Sequence, residues 1–154
     1  IKSDDRRQNF ENTMRRLLEL GVIPILNEND SIATEEIVIG DNDTLGAIVA
    51  STLDADLLVI LSDIDCLFTA APHKDENAVL LHRVTEITPE IEGMTGGAGS
   101  ELGTGGMATK IRAAKIATGH GVDVVIANGD DPMRLYDIVD GKEIGTRFFA
   151  GKAE

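Results

Sequence analysis

Cysteine is nearly absent from this sequence: Cys66 stands alone. A single thiol closes no internal disulfide, so a disulfide-stapled scaffold is excluded, and a reducing, cytoplasmic setting is expected. Long apolar runs are missing as well. No stretch reaches the roughly 18 residues of a membrane-spanning helix, and no secretory signal is visible, so no membrane partner is expected. Basic residues are scarce: 14 lysines and arginines stand against 27 acidic residues, a formal charge of −13. A field of that sign repels nucleic acid and anionic lipid, and neither is expected to bind this segment. An anionic ligand would therefore need local help from a few lysines, backbone N–H groups or Mg2+. His73, His82 and His120 are scattered, with no His-x-x-x-His or Cys-x-x-Cys spacing, so no protein-held metal site is expected. There is no Gly-x-Ser-x-Gly elbow and no histidine placed to activate Cys66, which argues against nucleophilic hydrolysis.

What is present is enough for one globular domain: 154 residues, 42% hydrophobic. Asp4 to Leu20 reads as an amphipathic helix with Phe10, Met14, Leu17 and Leu18 facing in and Gly21 at its stop. Val22 to Leu26 reads as a short buried strand, with Pro24 marking its edge or start. Glu36 to Ile39 reads as an edge strand, and Gly40-Asp41-Asn42-Asp43 as a turn and helix cap. The next helix carries Leu45, Ile48, Val49 and Leu53 inward. Leu57 to Leu61 is the clearest strand, nearly all branched and apolar, as in a parallel sheet covered on both faces. Cys66 to Asn77 reads as loop, Val79 to Val84 as a strand, and Thr88-Pro89 as a helix start. Val122 to Ala127 is another buried strand. A short helix after Pro132 runs through Leu135, Ile138 and Val139, and Gly145 to Phe149 is a last strand. This alternation predicts an α/β fold: a mostly parallel sheet with helices on both faces.

A glycine-rich run from Gly93 to Gly106 cannot hold a regular element, because glycine loses too much backbone entropy on ordering. A helical pattern follows at once, with Met107, Ile111, Ala114 and Ala117 on one face. A glycine loop feeding a helix start offers unpaired N–H groups and the positive end of a helix dipole. Thr104 and Thr109 add hydroxyls, and Lys110 adds a mobile charge, which suits the phosphates of a nucleotide. The stretch is not a P-loop, since Ala108-Thr109 precedes Lys110 where Gly should. Gly103-x-Gly105-x-x-Ala108 fits a loose dinucleotide fingerprint but lacks the preceding strand and the later acid. A plain glycine linker capping a helix fits the same spacing.

In open α/β sheets, ligands bind beyond the carboxyl ends of the strands. Polar groups gather there: Asn27-Glu28-Asn29-Asp30, then Ser62-Asp63, then Asn128 to Asp130. Asp30, Asp43 and Asp63 are candidates for holding an ammonium, a metal or a ribose. Taken alone, Asp43 also fits the N-cap of its helix, and Ser62-Asp63 also fits a strand-ending turn. Phosphate donors, a lysine and several carboxylates suit phosphoryl transfer, where a protein positions reactants and neutralises charge.

Asn27-Glu28-Asn29-Asp30, Gly40-Asp41-Asn42-Asp43, Ser62-Asp63 and Gly103 to Lys110, in this order, resemble the glutamate 5-kinase family of the amino acid kinase superfamily. The resemblance runs from Arg6 to about Phe149. It implies transfer of a phosphoryl group from ATP, with Mg2+, to the γ-carboxylate of L-glutamate, the first step of proline biosynthesis. It implies that Asp30 and Asn42 contact glutamate and that Ser62 and Asp63 contact ATP. Thr104, Gly105, Gly106, Met107, Ala108, Thr109 and Lys110 would form the ATP loop. Lys110 would stabilise the transferring phosphoryl, and Asp43 would orient it together with a second lysine. A homo-oligomer is implied as well.

The family's first strand, with that second lysine, would lie upstream of Ile1. Residues 1–154 are thus expected to be the C-terminal, nucleotide-binding part of an amino acid kinase domain, a fragment inactive by itself. Cys66 and Ala71 depart from the family's usual glycine and aspartate. Another kinase of the superfamily, or a non-catalytic module that binds an amino acid or nucleotide, is the alternative.

Overall fold

The computed structural model describes residues 2–27, 41–63, 67–69, 78–93 and 106–151. Helix α1 spans Lys2–Glu19 and α2 spans Asn42–Thr52. Strand β1 follows at Leu57–Ser62, then the short strands β2 (Leu67–Phe68), β3 (Leu80–Leu81) and β4 (Arg83–Val84). Helix α3 (Pro89–Gly93), helix α4 (Gly106–Thr118), strand β5 (Asp123–Asn128), helix α5 (Arg134–Val139) and strand β6 (Thr146–Phe148) complete the described elements.

Four strands form one sheet in the order β1-β5-β6-β4. The β1–β5 and β4–β6 pairings are parallel, and only β5–β6 is antiparallel. Side chains alternate across this sheet as the pleat requires. Leu58, Ile60, Val124 and Ile126 enter one core with Ala47 and Ala50 of α2 and Ile111, Ala113, Ala114 and Ala117 of α4. Leu57, Val59, Val125 and Ala127 meet Ile138 of α5 and Ile144 on the other side. Helices on both faces of a mostly parallel sheet are what the sequence predicts.

The inward faces differ in detail from expectation. On α2 the buried residues are Leu45, Ala47, Ala50 and Thr52, while Ile48, Val49 and Leu53 are only half-buried. The reason is α4, which lies against α2 and presents alanines; small side chains on both helices let the two backbones approach. Among the described side chains of α1 only Met14 is buried, at 6% exposure, and Leu18 faces out. Val22 to Leu26 forms no strand. Ile23 and Ile25 are 86% and 91% exposed, because no described strand pairs with them and Pro24 has no N–H to give. The expected strand 79–84 is split at His82 into β3, which pairs antiparallel with β2, and β4, which joins the main sheet. Strand β2 falls within the expected loop after Cys66. On α5, Ile138 is buried, whereas Val139 is exposed. The expected strand at 36–39 and most of the glycine run lie outside the described residues.

A buried hydrogen bond and a tight glycine corner help to hold β6 in place. The hydroxyl of the fully buried Thr146 accepts a 2.8 Å hydrogen bond from the Leu67 N–H. Gly145 has a positive φ of 68°, and a Cβ there would lie 2.0 Å from the Ile126 carbonyl oxygen. No other residue fits that corner without moving β5.

Candidate functional site

The connections fix where the helix N-termini go. A short link joins α2 to β1, and another joins α4 to β5, and each helix packs on the strand it precedes. A helix folded back in this way runs opposite to its strand. The N-termini of α2 and α4 therefore both lie at the carboxyl ends of β1 and β5, beside Ser62 and Asn128, which are register partners.

Asp41 caps α2. Its backbone is extended, and its carboxylate accepts the Thr44 N–H at 2.6 Å and the Thr44 hydroxyl at 2.9 Å. Arg112 of α4 adds a third donor at 3.2 Å. Burial pushes the Asp41 carboxyl up, but the Thr44 N–H, the Thr44 hydroxyl and the Arg112 guanidinium outweigh it and hold the group below its ordinary value. With the cap supplied by Asp41, Asp43 is free of that duty, which removes the simple capping explanation for it.

Asp43 instead reaches across to α4. Its Oδ2 accepts from Lys110 Nζ at 2.9 Å. The Thr109 Oγ1 lies 3.1 Å from the same oxygen and 2.9 Å from the Gly106 carbonyl, so its one proton is shared between two acceptors. The Lys110 and Asp43 side chains are 12% and 19% exposed, so their attraction is less screened than that of a surface pair. The ammonium is thus held in place by Asp43 near the start of α4, the positive end of the helix dipole. A fixed cation there can bind an anion and stabilise negative charge that develops on it.

Ser62 ends β1, and its hydroxyl donates to the Asp63 carboxylate at 3.0 Å. Asn42 is the first residue of α2 and is exposed. Gly106 and Ala108 are exposed in the first turn of α4, and Met107 packs against the core. Asp30, Thr104 and Gly105 lie outside the described residues. Of the residues picked out by sequence, the structure joins Asp43, Thr109 and Lys110 directly and puts Ser62 and Asp63 at the same mouth.

Sequence reasoning put the cap within Gly40 to Asp43 and weighed Asp43 for it, but did not single out Asp41 or find Arg112 as its partner. The signal for the cap was available, since Asp41 stands three residues before Thr44. Among the described residues, no group of three metal-ligating side chains is gathered. A cavity of about 360 Å3, lined by Val84, Glu86, Ile87, Lys115, Thr118 and Phe148, opens at the far end of α4, away from Lys110.

Residues 1–128 match the sequence profile of the Amino acid kinase family. The chain belongs to the amino acid kinase family. It is 50% identical over 158 aligned residues to a glutamate 5-kinase of Clostridium perfringens, covering 100% of this chain and 59% of that protein. It is 56% identical over 143 residues to a glutamate 5-kinase of Moorella thermoacetica, covering 93% of this chain and 38% of that protein. The chain thus spans about two fifths to three fifths of the length of these relatives. Among solved structures, the carbamate kinase of Giardia lamblia bound to AMP-PNP superposes with a TM-score of 0.60 at 24% identity, covering 92% of this chain and 49% of that one. That likeness bears out the family fold. No helix among the described residues is long and apolar enough to cross a membrane.

Proposed function

We propose that this chain is the nucleotide-side part of a glutamate 5-kinase, which transfers the γ-phosphoryl of ATP to the γ-carboxylate of L-glutamate in proline biosynthesis. The observation that carries the reading is the Asp43–Lys110 bridge at 2.9 Å, set at a helix start beside the strand ends. Phosphoryl transfer moves negative charge between oxygens, and a fixed ammonium lowers the energy of that charge more than a mobile one does. Lys110 stabilises the transferring group, and Asp43 keeps it pointed. Ser62, Asp63 and the stretch Thr104 to Lys110 hold ATP, and Asp30 and Asn42 hold glutamate. Mg2+ arrives with ATP, bound to its phosphates. We take the enzyme to be cytoplasmic and homo-oligomeric, and residues 1–154 to be inactive alone.

The test is an assay of the full natural chain with Mg·ATP and a panel of acceptors: glutamate, aspartate, carbamate and UMP. An acyl phosphate trapped as its hydroxamate with glutamate alone supports the reading. ATP consumption with another acceptor makes it a different kinase of the family, and ATP binding with no turnover on any acceptor makes it a binding module.

A further inference from the structure

The residue at the end of β5 is not accounted for by the fold. Asn128 is 8% exposed, the last of a run of buried residues that is otherwise apolar. Its Oδ1 accepts the Asp130 N–H at 2.7 Å. A backbone N–H only donates, so that branch must be the carbonyl oxygen, and the amide nitrogen must be the other. No described residue accepts from this nitrogen. A buried amide with two idle donors costs free energy unless something else accepts from it.

The pleat says which way the side chain goes. Val124 and Ile126 enter the core under α2 and α4. Asn128, two residues on, projects to that same side, where Lys110 and Asp43 meet. Ser62 is its register partner on β1 and follows Leu58 and Ile60 to the same side. Gly129 keeps the two strand ends close. Its N–H donates to the Ser62 carbonyl at 2.8 Å, and a Cβ there would come within 3.1 Å of Leu61 Cβ.

We propose that Asn128 is a nucleotide-binding residue, whose Nδ2 donates to an acceptor oxygen or nitrogen of ATP at the mouth formed by Ser62, Asp63 and the start of α4. This rests on the reading of that mouth as the ATP side. The Asp130 N–H fixes the carbonyl branch of the amide, so the donor branch is held ready before the ligand arrives.

The test is Mg·ATP binding by calorimetry, without acceptor, on the full natural chain and two variants. Asn128→Asp keeps an oxygen for the Asp130 N–H and removes both donors. Asn128→Ser is neutral and retains a shorter oxygen for the same turn. Both variants are expected to melt near the parent temperature and to bind Mg·ATP about tenfold more weakly, the loss of one buried hydrogen bond. Affinity within twofold of the parent in either folded variant overturns the proposal. So does a loss in Asn128→Asp alone, which would be charge repulsion. If the parent itself binds no Mg·ATP, the kinase reading falls and this inference with it. If the parent binds and the variants bind equally well, only this inference falls.

Discussion

Lys110 and Asp43 are 67 positions apart in sequence, yet their ammonium and carboxylate meet at 2.9 Å. The bridge joins the first turn of α2 to the second turn of α4, two helices that share a core rich in alanine. It follows that neither charge should be separable from the other in function.

Lys110→Ala is expected to lower kcat by about 100-fold or more, the usual scale for losing a group that stabilises transition-state charge. KM for glutamate should move far less. Asp43→Asn should also lower kcat steeply, because the lysine loses its anchor. The double variant should be little worse than Lys110→Ala alone, since the two act as a unit. Steady-state kinetics of all three in the full natural chain check this; additive losses would mean that the residues act separately.

Asp41→Ala removes the α2 cap and the Arg112 bridge. At neutral pH it should cost about 1 kcal/mol, as cap losses do. The Asp41 carboxyl sits below its ordinary value in the folded state. Its contribution is therefore complete above the unfolded carboxyl pKa of about 4 and fades as pH falls through the lower, folded value. Urea midpoints of parent and variant should converge below about pH 4. A gap that stays constant into that range would contradict the assignment.

Gly145→Ala is expected to be among the most damaging single changes. The methyl would meet the Ile126 carbonyl oxygen at 2.0 Å on a backbone with φ of 68°. A loss of about 3 kcal/mol or more is expected, from steric clash and backbone strain together. Thermal unfolding measures it. A small shift would mean that β5 and β6 can separate cheaply at that corner.

The α/β class was legible because branched apolar runs and helical spacing alternate without conflict. The pairing of Lys110 with Asp43 was legible only through the family resemblance, since read alone Asp43 fits a helix cap equally well. The identity of the cap was not. Asp41 and Asp43 are two acids of equal capping ability, and the choice fell to Asp41 because Thr44 offers it both an N–H and a hydroxyl. The buried face of α2 was misread because pattern rules weigh large apolar residues, whereas closely packed helices favour alanine. Val22 to Leu26 has the composition of a strand, but a strand needs a neighbour to accept its hydrogen bonds, and none is described beside it. The idle donor on Asn128 could not be read from sequence at all, since it depends on which neighbour takes the carbonyl.

The alanines between α2 and α4 act as a gauge block. Their methyl groups set how near the two helix starts can come, and hence how closely the anion meets the cation. Adding a methylene to Ala47 or Ala114 would pry the helices apart as a wedge does. Catalytic power could then be dialled down by sterics alone, with every charged atom left in the protein.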